Sequence, residues 1–188
     1  MRFSFFLALF MTPLIASFAA AAAADSGWID FEPASRLFRA EIPANGWRGF
    51  EEEDALGPIV RVFGPDDPSG ALRAMLSVRL IDRDSPGYLP IKDAVEAMRR
   101  PRPGRDPSPV RPLRIPAGLA RLFEIVEIRR IPVDEGPSAT QLLHQYVAVI
   151  PRGDAYFLVR LITSRGTYLD FRDDFVRFLR SLKPIGAR

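Results

Sequence analysis

The chain has 188 residues, 47% of them hydrophobic and 26% charged, a globular rather than a disordered composition. It has no cysteine and a single histidine, which excludes disulfides, thiolate catalysis, iron–sulfur clusters and any multi-histidine metal site. Its 26 Lys and Arg against 23 Asp and Glu leave a net charge of only +3, and Lys92 and Lys183 are the only lysines. The two signs are interleaved, and no one-signed stripe with aromatic interleaving suggests nucleic acid.

The N-terminus sets the expected compartment. Met1-Arg2 is a short positive start, Phe3 to Ile15 an apolar run, and Ala19 to Ala24 a run of small residues. That order is the secretory pattern, with Ala22 and Ala24 in the small-residue cleavage positions. The competing reading is an uncleaved anchor, because Phe3 to Ala24 is long enough to span a bilayer. The short apolar core and weakly hydrophobic alanine run favour a cleavable signal peptide over 1–24 and a periplasmic or secreted protein. No cysteine is present for lipid attachment, and no later segment is apolar enough to cross a membrane. Residues 25–188 then read as one domain, able to bury roughly 70% of its unfolded surface without a metal.

Along that domain, Trp28 to Phe31 reads as a first strand. Arg36 to Ile42 alternates, with Phe38, Ala40 and Ile42 on one face, and Pro43 to Gly46 is a turn cluster. Trp47 to Phe50 reopens the chain before an acidic turn, Glu51 to Asp54. Ile59 to Phe63 is a strand closed by Gly64 to Pro68. Leu72, Ala74, Leu76, Val78 and Leu80 give the clearest period of two, with Arg73, Ser77 and Arg79 opposite, as a half-buried strand requires. After the turn from Asp82 to Gly87, Ile91, Ala94, Val95 and Met98 form one helical stripe, ended by Pro101. Arg99 to Pro112 carries five prolines and reads as an extended linker in which no helix forms.

Leu119 to Ile131 is a long strand and Val133 to Thr140 a polar loop. Leu142 to Ile150 and Ala155 to Thr163 form a hairpin apolar on both faces, hence central. Thr167 with Asp170 reads as a capping box for a last helix, along which Tyr168, Phe171, Phe175, Phe178 and Leu182 recur and Asp173 pairs with Arg177. Strands, helix, strands, helix indicate an α+β sheet with helices packed on it.

Two stretches carry a family resemblance. Phe38-Arg-Ala-Glu-Ile42-Pro43 followed by Gly46-Trp47 resembles the opening strand, proline and tryptophan of the PsbP-like superfamily. Tyr156-Phe-Leu-Val-Arg-Leu-Ile162 and Phe175-Val-Arg-Phe-Leu-Arg-Ser181-Leu182 resemble its last strand and final helix, which ends in a serine and a hydrophobic residue. That group includes an extrinsic photosystem II subunit, a yeast Ran GTPase nucleotide-release factor and exported bacterial proteins. The resemblance implies a central antiparallel sheet with helices on both faces, an α/β/α sandwich. It implies no catalytic residue, and the metal-binding residues of some photosynthetic members do not carry over to a chain whose one histidine is His144.

Each candidate chemistry meets a plainer explanation. His144 lies in an apolar strand, and no Gly-x-Ser-x-Gly elbow accompanies it. Asp82-Arg-Asp84-Ser-Pro-Gly87 with Asp93 resembles a calcium loop, but Pro86 fills a ligand position; a turn with Asp93 at a helix N-terminus is the better reading. Glu51 to Asp54 reads as a solvated acidic turn, and the aromatic stripe of the last helix as core. No cofactor or metal is expected. The strongest functional candidate is the linker, where Arg99, Arg100, Arg102, Arg105 and Arg111 face a single opposing Asp106. A stiff basic segment suits docking to an acidic envelope protein or an anionic envelope surface, and replacing all five arginines by serine is expected to weaken docking and spare the fold. The expected function is therefore a non-catalytic binding or accessory module of the envelope. The alternatives are a carrier with a cavity for a small apolar ligand between sheet and helix, and an enzyme built on two carboxylates.

Overall fold

The computed structural model describes residues 27–133 and 136–186, without the side chains of 131–139. The expected signal peptide, 1–24, lies outside the described residues. The chain runs through β1 (Trp28–Phe31), β2 (Phe38–Pro43), β3 (Arg48–Asp54), β4 (Gly57–Asp66), β5 (Arg73–Ile81), α1 (Ile91–Met98), β6 (Arg105–Pro107), β7 (Arg111–Ile115), β8 (Gly118–Val133), β9 (Gly136–Arg152), β10 (Ala155–Ser164), α2 (Arg172–Ser181) and β11 (Lys183–Pro184). The main sheet has the order β3-β4-β5-β10-β9-β8-β6, with β7 also on β8, and a small sheet joins β1, β2 and β11. Every pairing is antiparallel.

The apolar hairpin is central. β9 and β10 sit between β5 and β8, and residues 143–150 are all buried. Successive β9 residues serve two cores, as the two-residue strand period requires. Tyr146, Ala148 and Ile150 pack in the cluster that holds Phe175, Phe178 and Leu179 of α2. Val147 and Val149 pack in the cluster that holds Ala94 and Val95 of α1. The helical stripe from Ile91 to Met98 and the buried face Phe38, Ala40, Ile42 both form as their spacing requires.

Several elements depart from expectation. The acidic segment Glu51 to Asp54 is the outer half of edge strand β3, paired with Gly57 to Val60, so the turn moves to residues 55 and 56. β5 is not half-buried: Ser77 and Arg79 are buried along with Leu76 and Val78. The cause is a polar side to the sheet, where Arg79 donates to Gly57 O at 3.0 Å and to Asp54 Oδ2 at 2.5 Å. The Val133–Thr140 loop shortens, because β9 begins at Gly136. α2 starts at Arg172, five residues past Thr167. The Thr167 hydroxyl pairs with Ser164 Oγ at 3.0 Å, so it caps no helix. Arg177 turns from Asp173 to Glu41, 2.8 Å away on β2, and lies over the Trp28 ring.

Candidate functional site

The Arg99–Pro112 segment is held along the outer strand. Prolines remove donors without preventing β-edge geometry, and the segment uses the donors it has left. Ile128 N donates to Gly104 O at 2.7 Å, β6 pairs with Ile125 to Glu127, and Ser108 N donates to Glu124 O at 2.8 Å. Within what reads in sequence as a linker, residues 105–107 thus form a short edge strand, and β7 begins at Arg111 on the same partner.

That placement separates the five arginines. Arg99 donates to Ser108 O at 3.0 Å, closing the segment's own loop. Arg105 turns inward, donating to Met98 O at 2.5 Å and lying 3.4 Å from Glu127. Arg111, two-thirds exposed, reaches Glu124 at 3.2 Å near α2. Arg100 and Arg102 are exposed and have no ion partner among the described residues. Arg99 and Arg100 flank an open cleft of about 510 Å³ that also includes Glu96 and Asp106. The five therefore do not form one patch: two stabilise the edge, one serves a second site, and two point outward.

The second site surrounds His144, which is 2% exposed. Its Nδ1 lies 3.1 Å from Arg165 Nη1 and its Nε2 lies 3.0 Å from Glu124 Oε2. A guanidinium only donates, so Nδ1 carries the lone pair and Nε2–H donates to Glu124. Burial pushes the His144 pKa down; the Glu124 carboxylate opposes that shift and Arg165 adds to it. The ring stacks on Tyr168 at 4.1 Å, and the Arg165 guanidinium lies over that same Tyr168 ring, 4.5 Å from its centroid. Burial also raises the pKa of Tyr146, whose hydroxyl donates to Tyr168 O at 3.1 Å. Beside this cluster a groove of about 250 Å³ has an apolar floor of Leu113, Leu122, Tyr146, Phe175 and Val176, with Arg111, Glu124 and Arg172 also lining it.

Chemically, both His144 nitrogens are already engaged, and neither contacts a hydroxyl nucleophile. The remaining candidates resolve into turns and pairs. Asp82 Oδ1 accepts from Asp84 N and Ser85 Oγ, closing its own turn. Glu51 accepts from the Ser35 backbone at 3.0 Å, and Glu52 pairs with Arg61. Among the described residues no cluster of three His, Asp or Glu is placed to hold a metal ion. Glu127, held by Arg105, Arg129 and Gln145, is the one buried carboxylate among them. Sequence reasoning missed both Glu127 and the His144–Glu124–Arg165 set, because their members are far apart in sequence: β8–β9 register brings Glu124 and Glu127 to His144 and Gln145, and Arg165, just past β10, is tied to β9 through Leu142 O. The one available signal was a charged residue recurring inside apolar strands.

No protein-family model and no curated protein matches the sequence. Solved structures do match in fold. The Saccharomyces cerevisiae Ran-binding protein Mog1p is similar at TM-score 0.54 and 10% identity, over 84% of this chain and 95% of that one. A Pseudomonas aeruginosa protein of unknown function, a putative regulator, is similar at TM-score 0.50 and 17% identity over 85% and 99%. A Bacteroides thetaiotaomicron protein is similar at TM-score 0.51 and 12% identity over 84% of this chain; the chain spans about half, 48%, of its length. Among the described residues no helix is long and apolar enough to cross a membrane. At these identities the likeness speaks for architecture alone, and the architecture is that of the PsbP-like fold group, which the two ends of the sequence resemble.

Proposed function

We propose that the chain is an exported, non-catalytic binding module of the cell envelope that docks an acidic envelope partner along its β6 edge. The observation that carries this is the rigid mounting of Arg100 and Arg102. Arg100 N donates to Ala97 O at 3.4 Å at the end of α1, and Arg102 O accepts from Arg105 N at 2.9 Å just before the β8-bonded Gly104, so the two exposed guanidiniums stand on a short turn tied at both ends, to α1 and to β6. Preorganised charge loses less freedom on binding than charge on a loose loop. The likeness to Mog1p, a Ran-binding protein, supports a binding role for this fold without naming a partner. Export and residues 25–188 as one domain rest on the sequence pattern. A sandwich with α1 and α2 on opposite faces is supported by the alternation of Tyr146, Ala148 and Ile150 with Val147 and Val149. The carboxylate enzyme is disfavoured by Glu127, the one buried carboxylate among the described residues, which pairs with Arg105 and Arg129 and accepts from Gln145.

The test compares wild type with an Arg100→Ser/Arg102→Ser variant for capture from envelope extract at low and moderate salt. A protein retained by wild type at low salt and lost with the variant is the expected result. Equal retention by both would overturn the reading.

A carrier for a small apolar ligand is the second reading, and the groove beside Tyr146 and Phe175 favours it. Its roughly 250 Å³ falls just below the size usual for ligand pockets. The deeper layer, lined by Trp47, Phe175 and Phe178, leaves only about 10 Å³. A co-purifying small molecule, found by mass spectrometry and displaced by a Val176→Trp change, would favour the carrier.

A further inference from the structure

The polar side of the sheet carries more positive charge than it can neutralise. Arg160, on β10 and opposite Ser77 of β5, is largely buried and has no carboxylate within ion-pair distance among the described residues. The side-chain acceptor it meets is Met98 Sδ, 3.3 Å from Nη2, a weak one. Its Nε is buried without a hydrogen-bond partner; the Nε of Arg105 also makes no hydrogen bond, although it lies 3.4 Å from Glu127 Oε2. Arg105 shares Met98 with Arg160, donating to the Met98 carbonyl, and shares Glu127 with Arg129. One carboxylate therefore pairs with two guanidiniums and leaves Arg160 without one, and its Oε1 already takes both Arg129 and Gln145 at 2.5 Å. Arg79, nearby, is spent on Asp54.

Such an arrangement is costly. A buried charge without a partner destabilises a fold more than an apolar replacement does, and buried donors left unbonded call for an absent ion or ligand. Burial, followed by the repulsion of Arg105, Arg129 and Arg79, pushes the Arg160 pKa down. The way in is from the β8 edge, where the Arg129 side chain is 58% exposed and that of Arg105 17%. Arginine forks match oxyanions bidentately, and several forks from different strands suit an ion with more oxygens than a carboxylate.

We propose that Arg105, Arg129 and Arg160 form a binding site for a phosphate-class oxyanion. Glu127 orients Arg105 and Arg129, the Met98 carbonyl holds Arg105, and the anion takes the donors that Arg160 leaves unbonded together with the exposed fork of Arg129. The site is independent of partner docking at Arg100 and Arg102, neither of which belongs to it, so either can fail alone.

The test is thermal unfolding and titration calorimetry of the purified protein with inorganic phosphate, against chloride at matched ionic strength. Phosphate at a hundred times its Kd is expected to shift the unfolding equilibrium about 100-fold, with chloride giving no such shift. Arg160→Gln is expected to raise the melting temperature in chloride, by removing the unpaired charge, and to abolish the phosphate response. Arg129→Gln, at a side chain 58% exposed and with an amide that can still donate to Glu127, is expected to weaken phosphate at least about tenfold, with its own melting temperature in chloride as the reference for the phosphate shift. Sedimentation with phosphatidylglycerol vesicles, against phosphatidylcholine, separates the sources. Vesicle binding lost in Arg129→Gln assigns a lipid headgroup, and phosphate binding without vesicle binding assigns a free or small-molecule phosphate. Equal melting in both salts without vesicle binding, or full phosphate affinity in both variants, would overturn the proposal.

Discussion

Glu124 accepts a hydrogen bond from His144 across the β8–β9 pairing, and the histidine is neutral in that bond because Arg165 holds its other nitrogen from the far side. The relationship gives the fold a defined response to acid. The native pKa of His144 lies below the ordinary 6.5, so between the two values the unfolded chain binds a proton that the native chain refuses. Stability from this site is full above about pH 6.5 and is lost as the pH falls from there through the lowered native value. Urea midpoints measured from pH 7.5 to 5 are expected to fall for wild type and to fall less for His144→Gln. Parallel curves would refute the neutral assignment. His144→Ala at pH 7.5 strands two polar partners and is expected to cost about 1–3 kcal/mol.

The edge arginines are expected to divide by stability effect. Arg105→Ser removes the donor to Met98 O and the contact with Glu127, for an expected loss of about 1–3 kcal/mol. Arg100→Ser and Arg102→Ser, at exposed positions without ion partners among the described residues, are expected to stay within about 0.5 kcal/mol of wild type. The fivefold serine variant that the sequence suggests as fold-neutral is therefore expected to unfold early. Denaturant curves on the three single variants decide the matter; equal effects would mean that Arg105 is not a strut.

Gly64 on β4 lies against the Trp47 indole. A Cβ there would approach Trp47 Cε2 and Cζ2 to 2.8 Å, closer than carbon atoms tolerate. Trp47 is itself fixed edge-on to Phe171, at 5.8 Å and 78°, so it has little room to yield. Gly64→Ala is expected to cost about 1–3 kcal/mol, with a blue or red shift of Trp47 fluorescence as the ring moves. A variant as stable as wild type would show that the indole moves freely.

How much of this was written in the chain depends on the range of the interaction. Phe38-x-Ala40-x-Ile42 and the Ile91–Met98 stripe declare their buried faces within one element, and both fold as read. The two-faced apolar character of residues 142–150 announces a central strand. Arg79 and Ser77 look solvent-facing because alternation reports only one side's apolarity; the partners that let Arg79 be buried, Asp54 and Gly57, lie over twenty residues away. The Arg99–Pro112 stretch reads as free linker because its prolines advertise what cannot form, while its pairing to β8 depends on Gly104, Ser108 and a partner not yet synthesised. Arg160 shows in the sequence only as a charge inside an apolar strand; its neighbours on β6, β8 and α1, which make that charge consequential, do not show.

The serine at the end of α2 is the motif residue whose role the structure explains. Ser181 Oγ accepts from Glu41 N at 2.8 Å and donates to Phe178 O at 3.0 Å, tying the last turn of the helix to β2 across 140 residues of sequence. Leu182 follows it into the core with no exposure, and Lys183 and Pro184 then pair with Arg39 and Phe38. One hydroxyl thus fixes where the helix ends and where β11 joins the small sheet. Ser181→Ala leaves the Glu41 N–H without that acceptor in a part-buried place, for an expected loss of about 1–2 kcal/mol. It is expected to loosen β11 ahead of the rest: hydrogen exchange at Glu41 and at Ile185, whose N–H donates to Leu37 O, should accelerate more than exchange within β9 and β10. Uniform acceleration across the sheet would instead mean that Ser181 contributes only to global stability and does not position the strand.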